Sequence, residues 1–327
     1  MAITTIYQTQ DEIHTQEGYP ANLQKRITQR NTWVWLNITE EPTHEVEPIL
    51  LNVFGFHPLS VEDALYEKHA PKLDLWDDYL YCALRGVNPD DPDNTTEIDI
   101  FLGEHYIVSH ANTPIPGVKR LQTRLTRGQP TRTSPTHIDI LYMLADEIAT
   151  DFLQLLESTE EQLELLERNI YNNPARAELE EILSIRRTLF HLRRVLAPQR
   201  EVMNKLGRGD ASLIPRKQRV YFRDVYDHCV RALDLTVNLI DVVSSVRDTY
   251  LSVVNNQMND VMKILALITT LFLPLSFLSG FFGMNFFQPV LNLNGWTGAG
   301  AFVAILCLMV GIPIGMYLWM RRKGWFL

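Results

Sequence analysis

The stretch ILALITTLFLPLSFLSGFFGMNFFQPVLNLNGWTGAGAFVAILCLMVGIPIGMYLWM, Ile264 to Met320, contains no Asp, Glu, Lys or Arg. A membrane-spanning helix needs about 20 mostly apolar residues to cross a hydrocarbon core about 30 Å thick, and this stretch holds two such lengths. Ile264 to Met284 makes the first and Thr297 to Met320 the second. Between them, Asn285 to Trp296 carries Gln288, Pro289, Asn292, Asn294 and Gly295, which is turn composition rather than helix interior. The C-terminal quarter therefore reads as a hairpin of two transmembrane helices.

Outward from that hairpin the chain changes character. Overall composition, with 46% hydrophobic and 21% charged residues, resembles that of a soluble protein, because nearly all the charge lies before Ile264. The first residues, MAITTIYQTQDEIHTQEG, have neither a basic start nor an apolar core, so no secretory signal is expected there. The acidic N-terminal part is then expected to stay in the cytoplasm. Two spans return the C-terminus to the same side, where Arg321, Arg322 and Lys323 supply the positive cluster of a cytoplasmic membrane edge. Trp319 and Trp325 flank it as interfacial anchors.

Ahead of the first span, one helical pattern runs from about Arg216 with no Gly or Pro before Pro274. At 1.5 Å per residue this is a rod on the order of 100 Å long. Its apolar positions Val225, Leu233, Val237, Ile240, Val243, Val246 and Val254 need partners from the same chain or from copies of it. Before the loop Gly207 to Pro215, Phe152, Leu156, Thr159, Leu163, Leu166 and Ile170 recur at alternating spacings of four and three, a heptad seam with glutamates on its solvated faces. Asn172-Asn173-Pro174 ends that helix, and Ala175 to Leu206 continues as a second, antiparallel one.

The first third reads as mixed α/β. Thr32 to Ile38, Tyr79 to Val87, Glu97 to Leu102 and Tyr106 to His110 are short β-branched or aromatic runs, with Gly103 and Glu104 turning between the last two. Ser60 caps a short helix after His57-Pro58, and Asn88 to Asn94 is a Pro- and Asp-rich loop. The expected organisation is an α/β domain (1–136), a helical hairpin (137–215), a stalk helix (216–260), a pore-lining first span (261–284), an outer loop (285–296), a second span (297–320) and a basic tail (321–327).

Several classes fall away. The three cysteines, Cys82, Cys229 and Cys307, are far apart, which supports neither a disulfide framework nor a thiolate zinc site. A net charge of −9 argues against nucleic-acid binding. No phosphate-binding Gly-x-x-x-x-Gly-Lys loop, Gly-x-Ser-x-Gly elbow or His-Glu-x-x-His motif occurs, so an enzyme is not expected.

Within the first span the small and polar residues are ordered. Asn255, Asn259, Met262, Ala266, Thr269, Leu273, Ser276 and Gly280 recur at spacings of four and three, forming one stripe, with Asp248 seven residues before Asn255. Such a stripe serves either close helix packing or a pore axis. Asn259 and Asn285, at the two mouths, favour the pore, because amide oxygens can accept hydrogen bonds from a hydrated cation without holding it too tightly.

Gly283-Met284-Asn285, closing the first of two C-terminal spans, resembles the tripeptide of the CorA family of magnesium and divalent-cation transporters. Asn259-Asp260-Val261-Met262-Lys263, Pro274-Leu275-Ser276-Phe277 and Gly280-Phe281-Phe282 are similar to its pore helix. Tyr221 to His228 (YFRDVYDH) resembles its stalk; His57-Pro58-Leu59, Glu62-Asp63 and Pro71-Lys72 resemble its N-terminal domain. The resemblance covers about residues 30 to 327.

It implies a funnel-shaped homopentamer with a central pore, passive Mg²⁺ influx, Mg²⁺ as both transported and regulatory ion, and no cofactor. Asn285 would ring the outer mouth, assisted by the Gly283 carbonyl beside Met284; Met262 and Leu273 would be hydrophobic constrictions, and Ser276 and Asn259 polar stations. Asp224 matches a stalk carboxylate of the family's regulatory site, its partner expected among Asp90, Asp91 and Asp93. Phe282 stands where the family usually has Tyr, and the outer loop carries no carboxylate, which puts selectivity in question. Within the same fold the alternative cargo is Zn²⁺, Co²⁺ or Ni²⁺; outside it, a two-span receptor would not need the polar stripe.

Overall fold

The computed structural model describes residues 3–9, 12–20, 23–27, 32–88, 91, 94–127, 135–172, 174–284 and 299–323 of the 327-residue chain. Two compact units emerge, Met1–Tyr250 and Leu251–Leu327.

The first unit runs β1 (Ile3–Thr9), β2 (Glu12–Glu17), α1 (Leu23–Ile27), β3 (Val34–Thr39), α2 (Thr43–Pro48), a π-helical turn (Ile49–Val53) and α3 (Pro58–Tyr66). There follow β4 (Lys72–Leu75), β5 (Tyr79–Val87), β6 (Thr95–Gly103), β7 (Tyr106–Ala111), α4 (Pro116–Thr126), α5 (His137–Asn172) and α6 (Arg176–Arg208). Helix α7 (Arg219–Phe282) starts here and continues into the second unit.

The strands form one seven-stranded sheet in the order β2-β1-β3-β7-β6-β5-β4. All neighbours are antiparallel except β3 and β7, which pair in parallel from Val34 opposite Tyr106 to Thr39 opposite Ala111. Strands β3, β5 and β6 are buried on both faces, which explains why they read as near-continuous apolar runs. On one face Tyr79, Tyr81, Ala83, Phe101 and Val108 join a core with Val46 of α2, Leu50 of the π turn, Phe56 of the loop that follows it, and Val61 and Leu65 of α3. Phe56 stacks on Phe101 with ring centroids 4.3 Å apart. Helix α5 runs against β3, β5, β6 and β7, and α6 against β4 and β5. Gln199 of α6, fully buried, accepts the Arg85 backbone N–H at 2.9 Å. The β6–β7 turn needs Gly103, because a Cβ there would lie 2.3 Å from the Tyr106 ring.

Three readings of the sequence change. Ser60 is not the cap of α3: the Nδ1 of His57 accepts the Leu59 N–H at 3.2 Å, and Ser60 lies inside the helix, donating to the His57 carbonyl and pairing with the Tyr79 hydroxyl. The polar hairpin β1–β2, strand β4 and helix α4 add to the strands and helices expected of the first third.

The third change concerns α7. The α5 seam is buried as its spacing predicts at Phe152, Leu156, Leu163, Leu166 and Ile170. On α7, however, the buried line is Phe222, Val225, Cys229, Ala232, Thr236, Leu239, Val243, Val246 and Tyr250, whereas Val237 is exposed. Small residues at Cys229, Ala232 and Thr236 make that line, and the Thr236 hydroxyl is satisfied by the Ala232 carbonyl at 2.7 Å. Of the valines expected to need partners, Val225, Val243 and Val246 find them within the chain.

In the second unit the C-terminal part of α7 and helix α8 (Ala299–Arg322) are each long and apolar enough to cross a membrane.

Candidate functional site

Two groups of residues carry chemistry. The first is the surface of α7 beyond Leu251. Val261, Met262, Ile264, Leu265, Ile268, Phe272, Leu273 and Phe277 are all largely exposed, Met262 to 62% and Leu273 to 65%. A soluble protein rarely leaves so continuous an apolar surface to water, and a lipid surrounding or neighbouring helices account for it.

The stripe expected to carry ions is open along its whole length: Asn255, Asn259, Met262, Ala266, Thr269, Leu273, Ser276 and Gly280 are exposed. The less exposed line is instead Lys263, Leu267, Leu271, Pro274 and Leu278. At 3.6 residues per turn the two lines lie about 130° apart around the helix. The Thr269 hydroxyl donates to the Leu265 carbonyl at 2.8 Å, which leaves its oxygen lone pairs free to face a cation. Asp248, placed by spacing on the same stripe, is held by the neighbouring Arg247 guanidinium at 2.8 Å, so its charge is partly neutralised.

Helix α7 ends at Phe282; the Gly283 N–H reaches the Ser279 carbonyl at 2.9 Å and Met284 is exposed. Phe282 meets Phe281 edge-to-face at 5.5 Å, a contact that needs no hydroxyl. Asn285 and the outer loop lie outside the described residues.

The second group joins α5 to α7. Asp146, Asp224 and His228 bring ligand atoms within 4.8 Å of one another. Asp224 and His228 are four apart on one helical face, and His228 Nδ1 lies 3.0 Å from Asp146 Oδ1. Burial pushes the Asp146 carboxyl above the ordinary range; His228 pulls it back, and Asp224 pushes it further up. Two carboxylates and an imidazole at this separation could hold a divalent ion, which would offset the Asp146–Asp224 repulsion. Tyr142, ring centroid 5.2 Å from that of Tyr221, lies beside it, its phenol raised first by burial and then by Asp146 and Asp224. A neighbouring groove lined by Glu157, Glu160, Asp227 and Asp234 extends the negative potential, with Arg231 as its cation.

Asp224 was legible in the sequence; Asp146 and His228 were not singled out. The Asp-x-x-x-His spacing of Asp224 and His228 is a signal that could have raised His228. Among the described residues, the loop expected to partner Asp224 contributes only Asp91, which is exposed and is not part of the Asp146–Asp224–His228 cluster; Asp90 and Asp93 lie outside the described residues.

A profile of the family described as "CorA-like Mg2+ transporter protein" matches residues 30–322. The "Cobalt/magnesium transport protein CorA" of Thermotoga maritima is 30% identical over 301 residues, covering 90% of this chain and 84% of the relative. The "Zinc transport protein ZntB" of Yersinia enterocolitica is 26% identical over 298 residues, covering 89% and 87%. The complete structure of the CorA magnesium transporter from Methanocaldococcus jannaschii superimposes with a TM-score of 0.83 at 22% identity, covering 99% of both chains, and so shares the fold. Two apolar helices without internal cover, a mixed-sheet domain and a family match across nine-tenths of the sequence agree: the chain belongs to the CorA-like Mg²⁺ transporter family and is a membrane-embedded divalent-cation transporter rather than an enzyme.

Proposed function

We propose that copies of this chain assemble as a homopentamer in the cell membrane and conduct Mg²⁺ inward along the α7 stripe, with both termini in the cytoplasm. The observation that carries the reading is the exposed line from Asn255 to Gly280, which places amide, hydroxyl and small side chains on a helix otherwise suited to lipid. Around a common axis these residues would line the pore. Met262 and Leu273 would form hydrophobic constrictions able to gate by dewetting, and Asn259 and Ser276 polar stations for a hydrated ion. Asn285, with the Gly283 carbonyl, would select the ion at the outer mouth through its water shell, which Mg²⁺ gives up reluctantly. The membrane potential contributes about 2.3 kcal/mol per charge per 100 mV, doubled for a divalent ion, so no fuel is required.

Gating follows from the α5–α7 cluster. Intracellular Mg²⁺ held by Asp146 and Asp224 would stabilise the closed arrangement, and its loss would leave like charges to loosen it. Asp90, Asp91 and Asp93 are the residues proposed to add carboxylates from a neighbouring copy.

Zn²⁺, Co²⁺ or Ni²⁺ is the second cargo reading. His228 in the cation cluster and the similarity to a zinc transport protein favour it, since imidazole suits these ions better than Mg²⁺. Proteoliposomes assayed with Mg²⁺, Zn²⁺, Co²⁺ and Ni²⁺ side by side separate the readings. Mg²⁺ uptake that Asn285→Ala abolishes is the expected result; uptake unchanged in that variant would remove Asn285 from the filter.

A further inference from the structure

A second cluster lies far along the chain from the α7 stripe and shares no residue with the α5–α7 group. Asp63, in the last turns of α3, Glu67, at its C-terminal cap, and His69, in the link to β4, bring ligand atoms within 4.8 Å of one another. His69 Nε2 is 3.4 Å from Asp63 Oδ1 and 3.5 Å from Glu67 Oε2. That nitrogen is shut off from solvent and has no hydrogen-bond partner among the described residues. A tetrahedral ion with bonds of about 2.0 Å holds neighbouring ligand atoms about 3.3 Å apart. The two distances from His69 Nε2 are close to that value, and the three ligand atoms together stay within 4.8 Å.

The surroundings fix these donors. The His69 backbone N–H donates to both Glu97 carboxylate oxygens, at 3.1 and 3.0 Å, and its backbone carbonyl accepts from Arg85 Nε and Nη2 at 3.0 and 2.8 Å. Lys72 Nζ holds Asp63 Oδ2 at 2.5 Å and Asp74 at 3.2 Å, leaving Asp63 Oδ1 turned to the imidazole. Through these two contacts Lys72 takes up one carboxylate charge. Asp63, Glu67 and Asp74 against Lys72 still leave the neighbourhood net negative. Glu67 is largely exposed and can swing onto an arriving ion.

We infer that Asp63, Glu67 and His69 form a binding site for a borderline transition-metal ion of the Zn²⁺ or Co²⁺ class, with one coordination position left for water. One imidazole and two carboxylates suit such an ion, whereas Mg²⁺ prefers an all-oxygen octahedron. The ion would pin the end of α3 to the link that leads into β4, where Lys72 already holds Asp63.

The test is Co²⁺ titration of the full chain in detergent, read by visible absorption, in an Asp146→Asn, Asp224→Asn background that removes the other cluster. One Co²⁺ per chain is expected, retained in hundredfold excess Mg²⁺ and displaced by Zn²⁺. His69→Gln is expected to abolish the band and Glu67→Gln to weaken binding at least tenfold. Glu67 is solvent-facing, so its variant tests the site even if His69→Gln fails to fold. Absence of binding in the background chain, affinity unchanged in Glu67→Gln, or displacement by an equal concentration of Mg²⁺ would each overturn the assignment.

Discussion

His228 on α7 and Asp146 on α5 touch at 3.0 Å across 82 residues of sequence, and Asp224 joins them one helical turn away. The contact couples the helix that continues into the membrane-spanning unit to a helix that lies on the sheet. Replacing Asp224 by Lys puts a cation where the cluster would hold one. Uptake measured against internal Mg²⁺ is expected to lose at least a tenfold range of inhibition, equal to about 1.4 kcal/mol of coupling. Inhibition at the same concentration in the variant would refute the sensor role.

The pore reading predicts a contrast between neighbours on α7. Leu273 lies on the open stripe and Phe272 beside it does not. Leu273→Asn is expected to raise uptake several-fold under closing conditions by wetting the constriction. Phe272→Leu is expected to leave flux unchanged. Equal effects of both variants would move the axis to another face.

Arg85 and Glu97 form a pair at 2.9 Å with both side chains largely buried. Burial and the nearby Asp99 push the Glu97 carboxyl upward, while the His69 N–H and Arg85 hold it down. Arg85→Leu strands a buried carboxylate and is expected to cost about 3 kcal/mol, whereas adding Glu97→Leu recovers only part of it, because the His69 backbone N–H and carbonyl then lose their partners. Denaturant unfolding of the detergent-solubilised chain reads both values.

His137 opens α5, and burial, followed by nearby His105, pushes its pKa down to about 4 despite the opposing pull of Asp139. A depressed histidine contributes stability that is complete above its unfolded value, about 6.5, and is lost as pH falls through its folded value. Between pH 6.5 and 4 the chain is expected to lose about 1–3 kcal/mol through this group, the ring being partly open to solvent. Asp99, Asp146 and Asp151, raised chiefly by burial, slope the other way, so the measurement is the difference from His137→Gln. Parallel pH profiles would rule the effect out.

What could be read from the sequence followed from period. The apolar runs of β3, β5 and β6 and the four-three seam of α5 announce themselves because burial on a regular element leaves a regular trace. Edge strand β2 left none, because Glu12, Thr15, Gln16 and Glu17 have little to bury, and β1 buries Ile6 among the polar Thr5 and Gln8, which hydropathy does not flag. On α7 hydropathy found only part of the buried line, Val225, Val243 and Val246. The helix meets its neighbours through Cys229, Ala232 and Thr236, whose smallness is a packing property that hydropathy does not register. Asp146 was out of reach for a different reason: which residue of α5 faces Asp224 depends on the register between two long helices, which no local spacing encodes.

The borders of the sheet bear on crowding. A membrane confines these chains to two dimensions and brings their aqueous parts into repeated collision, where bare strand edges would template β-pairing between molecules. One border, β2, presents Glu12, His14 and Glu17, and the other, β4, is four residues long and carries Lys72 and Asp74. Short, charged margins are poor templates. Dense patches of the transporter can therefore form without cross-β fusion of their water-facing domains.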